Sequence, residues 1–133
     1  MALSVTDSGH TVRRYNLMTN LIDTFTRDPL SRRKVMSLWQ EQEFLEESKG
    51  LKPCAHTTVW DLNIRPDGVF AVTLTLYQRS MDLLVTSSIN AFQYWILGEA
   101  LMAHLRALTG RDYQIVKVRH DIGDVHIYDR HRS

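Results

Sequence analysis

The chain has 133 residues, 44% of them hydrophobic and 23% charged, which suits one ordinary globular domain with a modest core. Its formal charge is +1, so nothing global suggests a field for nucleic acid or anionic membrane, and neither is expected as a partner. The single cysteine, Cys54, excludes an internal disulfide, and no apolar run reaches signal-peptide or membrane-span length, so the expected compartment is the cytosol.

The first residues are small and polar, and 1–14 reads as loose; the whole of 1–133 reads as a single domain. Leu17, Leu21, Ile22 and Phe25 then recur at helical spacing, predicting an amphipathic helix from about Tyr15 to Thr26. Pro29 disfavours a helical Asp28 and marks its end. Lys34 to Trp39 reads as a strand. The acidic run Glu41 to Gly50 reads as a helical turn or loop with a solvated face.

A strand is expected from His56 to Ile64, followed by Arg65-Pro-Asp-Gly68, where Pro presets the turn and Gly accepts a positive φ. Val69 to Gln78 returns as a second strand, with Phe70, Val72, Leu74 and Leu76 on one face. The longest periodic segment is Ile89 to Leu108. Phe92, Ile96, Ala100, Ala103 and Ala107 form one apolar line, and Leu97, Leu101, Leu105 and Leu108 form another beside it. A helix apolar over so wide an arc is expected to be buried, with Gly110 as its stop. Tyr113 to Arg119 and Val125 to Tyr128 alternate as strands. The order predicts an α+β fold, a mixed or mainly antiparallel sheet packed against a long buried helix.

Four short segments carry chemistry. They are Asp28-Pro-Leu-Ser31-Arg32-Arg33 with Trp39; Leu51-Lys-Pro53-Cys54; Leu76-Tyr77-Gln78-Arg79-Ser80-Met81-Asp82 with Asn90 and Tyr94; and Gly123-Asp124-Val-His126-Ile-Tyr128 with His131. Taken singly, Cys54 reads as a structural thiol, Arg32–Arg33 as a solvated pair, and Asn90 as a helix cap. The His and Asp residues between His120 and His131 fit no standard zinc spacing, so no metal is expected. In this order and spacing, however, the four segments resemble the thymidylate synthase and deoxypyrimidine hydroxymethylase family, over roughly residues 15 to 131.

The resemblance implies a truncated thymidylate-synthase-like domain, lacking the family's amino-terminal half with its catalytic glutamate. It implies transfer of a one-carbon unit from 5,10-methylenetetrahydrofolate to C5 of dUMP. Cys54 would be the nucleophile, and Arg79, Ser80, Arg32 and Arg33 would bind phosphate, the last two across a homodimer interface. Gln78, Asn90, His126 and Tyr128 would bind the nucleotide, and Asp82 the folate. Arginine suits phosphate because its planar fork holds two oxygens at once. An amide such as Asn90 offers uracil both a donor and an acceptor. Three departures stand out: Ala55 replaces the family's usual histidine, with His56 one place later; Leu84 to Asn90 lacks the family's Gly and Pro; and the Cys54–Arg79 hairpin is longer. Alternative readings are an inactive nucleotide-binding or assembly homologue, a dUMP or dCMP hydroxymethylase, and a split enzyme whose missing half comes from a partner. The split-enzyme reading predicts an exposed apolar patch.

Overall fold

The structure is a computed structural model describing residues 2–7, 10–39, 54–84 and 87–129. The expected turn at Glu41 to Gly50, and the motif residues Leu51, Pro53 and His131, lie outside the described residues.

Strands β1 (Ala2–Asp7) and β2 (His10–Tyr15) pair with each other as an antiparallel hairpin in the segment read as loose. Helix α1 (Leu17–Arg27) begins where Asn16 accepts hydrogen bonds from the backbone of Met18 and Thr19, both at 3.1 Å. It ends at Asp28, one residue before Pro29, and buries Leu21 and Phe25.

Beyond it, β3 (Val35–Ser37), β4 (Ala55–Ile64), β5 (Phe70–Gln78) and β7 (Tyr113–Ile122) form a four-stranded sheet in that order. β3–β4 and β4–β5 are antiparallel, and β5–β7 is parallel, so the sheet is mixed. The β4–β5 hairpin turns as predicted: Gly68 has φ +86° and donates its N–H to the Arg65 carbonyl at 2.9 Å. Helix α2 (Ser87–Thr109) is the crossover that parallel pairing requires between β5 and β7. A short parallel pair, β6 (Met81–Asp82) with β8 (Val125–His126), extends beyond the sheet's end.

The core lies between the sheet and the two helices. Phe25 meets Trp60 edge-on at 6.3 Å and Tyr113 edge-on at 5.9 Å, packed among Val72, Leu74, Leu101, Met102 and Leu105. The buried polar tips are satisfied: the Tyr113 hydroxyl donates to the Phe25 carbonyl at 3.0 Å, and the Trp60 indole N–H to Thr58 Oγ1 at 3.0 Å.

α2 is buried along the middle of its second line, with Leu97 half-buried and Leu108 57% exposed. Leu101 and Leu105 are buried, whereas Phe92 is 63% exposed and Ile96 50%, with Ala100, Ala103 and Ala107 also exposed. The helix is therefore buried along one side only, and its outer apolar side is open. Local periodicity records that α2 is apolar all round; what covers each side depends on chain that lies elsewhere.

Lys34 is an unforeseen core member, 1% exposed. Its Nζ donates to the carbonyls of Pro29, at 2.6 Å, and Ser31, and lies 5.2 Å from the Phe25 ring centre. It thereby pins the loop that carries Arg32 and Arg33. Burial lowers its pKa from 10.5, opposed by the charges of Asp61 and Asp28. Lys34→Met should cost about 1 kcal/mol near neutral pH, because two carbonyls lose their donor while an ammonium is no longer desolvated. The sign with pH follows from the lowered value. Above the folded pKa the unfolded chain holds the extra proton, so Lys34's contribution to stability grows as pH rises towards 10.5. Tyr94, raised from 10.0 by burial, acts in the opposite sense at the alkaline end. The difference in urea midpoint between wild type and Lys34→Met, followed upward from neutral pH, isolates the lysine.

Candidate active site

The candidate site forms where β4 starts and where β5 and β7 end. Cys54 precedes β4, and its carbonyl accepts the Arg79 N–H at 2.8 Å, which sets the thiol beside the end of β5. From the other side, the Gly123 N–H donates to the Gln78 carbonyl at 2.9 Å. β6 and β8 continue the junction: the Met81 N–H bonds the Asp124 carbonyl at 2.8 Å, and the Leu83 N–H bonds the His126 carbonyl at 2.9 Å. Three of the four sequence segments are thus stitched together through backbone.

Gly123 is required there for space. A Cβ at this position would lie 2.9 Å from the Arg79 carbonyl oxygen, which is backbone and cannot rotate away.

The side chains follow the backbone. Ser80 Oγ donates towards Cys54 Sγ at 3.7 Å, and the thiol is half-buried. Gln78 is 2% exposed; its Nε2 donates to the Ser80 carbonyl at 2.7 Å, and its Oε1 lies 2.7 Å from His120 Nε2. Arg79 is exposed, with its guanidinium 5.9 Å from the Trp39 ring centre, so the end of the β3 segment also reaches the site. His126 pairs in register with Asp82, meets Tyr128 edge-on at 5.0 Å and has its Nδ1 3.4 Å from Asp124 Oδ2.

Asp82 is buried, and its Oδ1 accepts the Leu84 N–H at 3.1 Å, beside exposed Leu83 and Leu84. A carboxylate bordered by apolar surface can accept hydrogen bonds from the N–H groups of a heteroaromatic ring while the ring packs on the apolar part. Asn90 stands half-buried in the first turn of α2. Arg32 and Arg33 are exposed on the loop before β3, and Arg33 borders a polar cleft with Asn20, Thr24 and Arg27.

The shifted histidine has a structural cause. Ala55 pairs with Gln78 and Thr57 with Tyr77, so His56 is the extra residue of a bulge. Its ring lies 6.3 Å from that of Tyr77, and its Nδ1 is 2.9 Å from Thr57 Oγ1. Sequence reading missed His120. The clue was available in β7, where Val118, His120 and Ile122 alternate and pair opposite Leu74, Leu76 and Gln78, on the face that carries Gln78. His120 is half-buried, and desolvation lowers its pKa from 6.5, favouring the neutral imidazole.

A family model described as thymidylate synthase matches residues 4–133. The chain belongs to the thymidylate synthase family. It is similar to the thymidylate synthase of Lactococcus lactis subsp. lactis (strain IL1403), at 38% identity over 121 residues, covering 91% of this chain and 41% of that protein. It is also similar to the thymidylate synthase of Streptococcus sanguinis (strain SK36), at 36% identity with 91% and 40% covered. Among solved structures it matches thermostable thymidylate synthase A from Bacillus subtilis with a TM-score of 0.66 and 27% identity, covering 96% of this chain and 40% of that one. The chain therefore spans about two-fifths of the length of the thymidylate synthases it matches. No helix among the described residues is long and apolar enough to cross a membrane.

Proposed function

We propose that this chain forms the thiol-bearing, nucleotide-gripping portion of a thymidylate-synthase-type enzyme that transfers a one-carbon unit to C5 of dUMP. The observation that carries the reading is the meeting of two distant segments at one half-buried thiol, where the Ser80 hydroxyl faces Cys54, Gln78 holds the Ser80 carbonyl and the Arg79 N–H bonds the Cys54 carbonyl. Cys54, as thiolate, adds to C6 of uracil. The π pair of the C5=C6 double bond moves onto C5 and, through it, the C4 carbonyl, which makes C5 nucleophilic. When C5 later loses its proton and the thiolate is expelled from C6, the ring is restored.

Arg79 and Ser80 hold the phosphate. Ser80 has one hydroxyl proton, so donating it to phosphate releases the thiol from that contact as the nucleotide arrives. Trp39 keeps the Arg79 fork in place. Arg32 and Arg33, exposed and far along the chain from Cys54, suit a phosphate site on a second subunit of a homodimer. His126 and Tyr128 bind the ribose hydroxyls, and Asn90 reads the uracil edge. Asp82, with Leu83 and Leu84, would hold the pterin of 5,10-methylenetetrahydrofolate, which supplies the one-carbon unit when bound. The cytosol is the compartment this chemistry suits.

The open outer side of α2 favours a second reading, in which turnover needs the remaining part of the family fold, supplied by another polypeptide or segment. Intact-mass analysis with 5-fluoro-dUMP and 5,10-methylenetetrahydrofolate tests both. Fluorine at C5 blocks the later elimination, so a competent site traps the nucleotide on Cys54. A covalent adduct that disappears in Cys54→Ser supports catalysis by this chain alone. A folded chain that forms no adduct sinks the stand-alone reading and leaves the assembled one.

A further inference from the structure

We infer that His120 is a positioning residue: acting through Gln78, it fixes Ser80 against Cys54 and so sets the reactivity of the thiol in the nucleotide-free chain. The inference rests on the reading of Cys54 as the nucleophile.

The hydrogen-bond logic leaves one arrangement. A backbone carbonyl only accepts, so the Gln78 atom 2.7 Å from the Ser80 carbonyl must be its NH2 nitrogen. The other end of that amide, Oε1, therefore faces His120. It can only accept, so His120 Nε2 must carry the proton it donates across 2.7 Å. Gln78 is 2% exposed, and no bulk water competes for its amide. Without His120 the buried Oε1 loses its partner, and the amide has reason to rotate or withdraw. Either movement frees the Ser80 carbonyl. The Ser80 hydroxyl, which sits 3.7 Å from Cys54 Sγ, then loses its fixed aim.

Burial favours the neutral imidazole, which still donates from Nε2. His120 reaches Gln78 from β7 and Cys54 lies before β4, so the chain of contacts spans three adjacent strands. His120 touches neither the thiol nor any atom that reacts; it acts only through what it holds.

A hydroxyl aimed at Cys54 Sγ supports negative charge on the reacting sulfur, so misaiming it should slow attack by that sulfur. Cys54 is the only cysteine, so iodoacetamide alkylation of the 133-residue chain reads this one thiol without any nucleotide. His120→Leu should slow alkylation about five- to ten-fold, the scale of one ordinary intramolecular hydrogen bond. His120→Gln, which can place an amide N–H near the same point, should restore most of the rate. In a Ser80→Ala background, His120→Leu should add almost nothing, because the route to the thiol is already cut. Wild-type alkylation in folded His120→Leu would overturn the inference, as would a rate loss that adds in full to that of Ser80→Ala. Should His120→Leu fail to fold, Gln78→Leu cuts the same relay at its middle, and a wild-type rate there is equally fatal. The readout needs no nucleotide, so a missing 5-fluoro-dUMP adduct would count against catalysis by this chain alone and leave this inference standing.

Discussion

Gly123→Val is expected to dismantle the thiol site while leaving most of the sheet in place. Even the first carbon of the new side chain would sit 2.9 Å from the Arg79 carbonyl oxygen. That oxygen is fixed by a backbone already tied on both sides, by the Arg79 N–H to Cys54 and by the Gly123 N–H to Gln78. Relief must come from parting the ends of β5 and β7, which breaks the second bond and moves Ser80 away from the thiol. Overpacking of this kind costs about 1–3 kcal/mol, and a β-branched residue should fall at the upper end. Guanidinium unfolding should show the stability loss, and iodoacetamide labelling should show Cys54 reacting as it does in Ser80→Ala. Gly123→Ala should give a smaller shift of the same sign. A Gly123→Val chain with wild-type midpoint and wild-type labelling would contradict the close approach.

Trp60→Ala should have the largest effect on stability. Trp60 is 1% exposed, its ring meets Phe25 edge-on, and its indole N–H is satisfied by Thr58, itself bonded to the Met36 carbonyl at 3.4 Å. Truncation removes the largest side chain between α1 and the sheet and leaves a cavity that α1 can only partly fill. The expected loss is about 3–5 kcal/mol. Against a total of roughly 5–15 kcal/mol for an ordinary domain, that is a large share of the whole, and at the low end of the range it populates the unfolded chain at room temperature. Far-UV circular dichroism through a urea titration should show the midpoint collapse. Tyr113→Phe makes the informative contrast. It keeps the ring against Phe25 and loses only the 3.0 Å bond to the Phe25 carbonyl, so it should cost about 1 kcal/mol.

Elements governed by local rules were legible in the sequence. Pro29 follows the end of α1 and Arg65–Gly68 turns the β4–β5 hairpin, because helix-stop and turn chemistry act over a few residues. The existence and length of α2 were legible for the same reason. Its one-sided burial was not, since apolar periodicity says which residues avoid water and not whether a partner surface is present. The convergence of Cys54 with Gln78 to Asp82 and with Gly123 to His126 followed from a resemblance carried by ordered motifs, not from spacing. Asn90 and the pair Arg32–Arg33 lie on other elements, and their part in the site rests on the proposal. His120 escaped notice because its importance lies in a cross-strand diagonal to Gln78. That diagonal depends on the parallel register of β5 and β7, with its irregularity between Val72 and Thr73, which a single strand does not reveal.

The parallel pairing of β5 and β7 also decides when the site can come into being. β4 and β5 meet through a tight turn and can zip early, whereas β7 reaches β5 only after the whole of α2 has been threaded between them. Closing so long a connection costs entropy before any contact repays it, and such non-local pairings dominate slow folding. Gln78 is therefore expected to gain its partner His120 from β7 late in assembly. The lone thiol of Cys54 is a built-in clock for that step: labelled at successive times during refolding, it should reach its final reactivity only once the crossover closes.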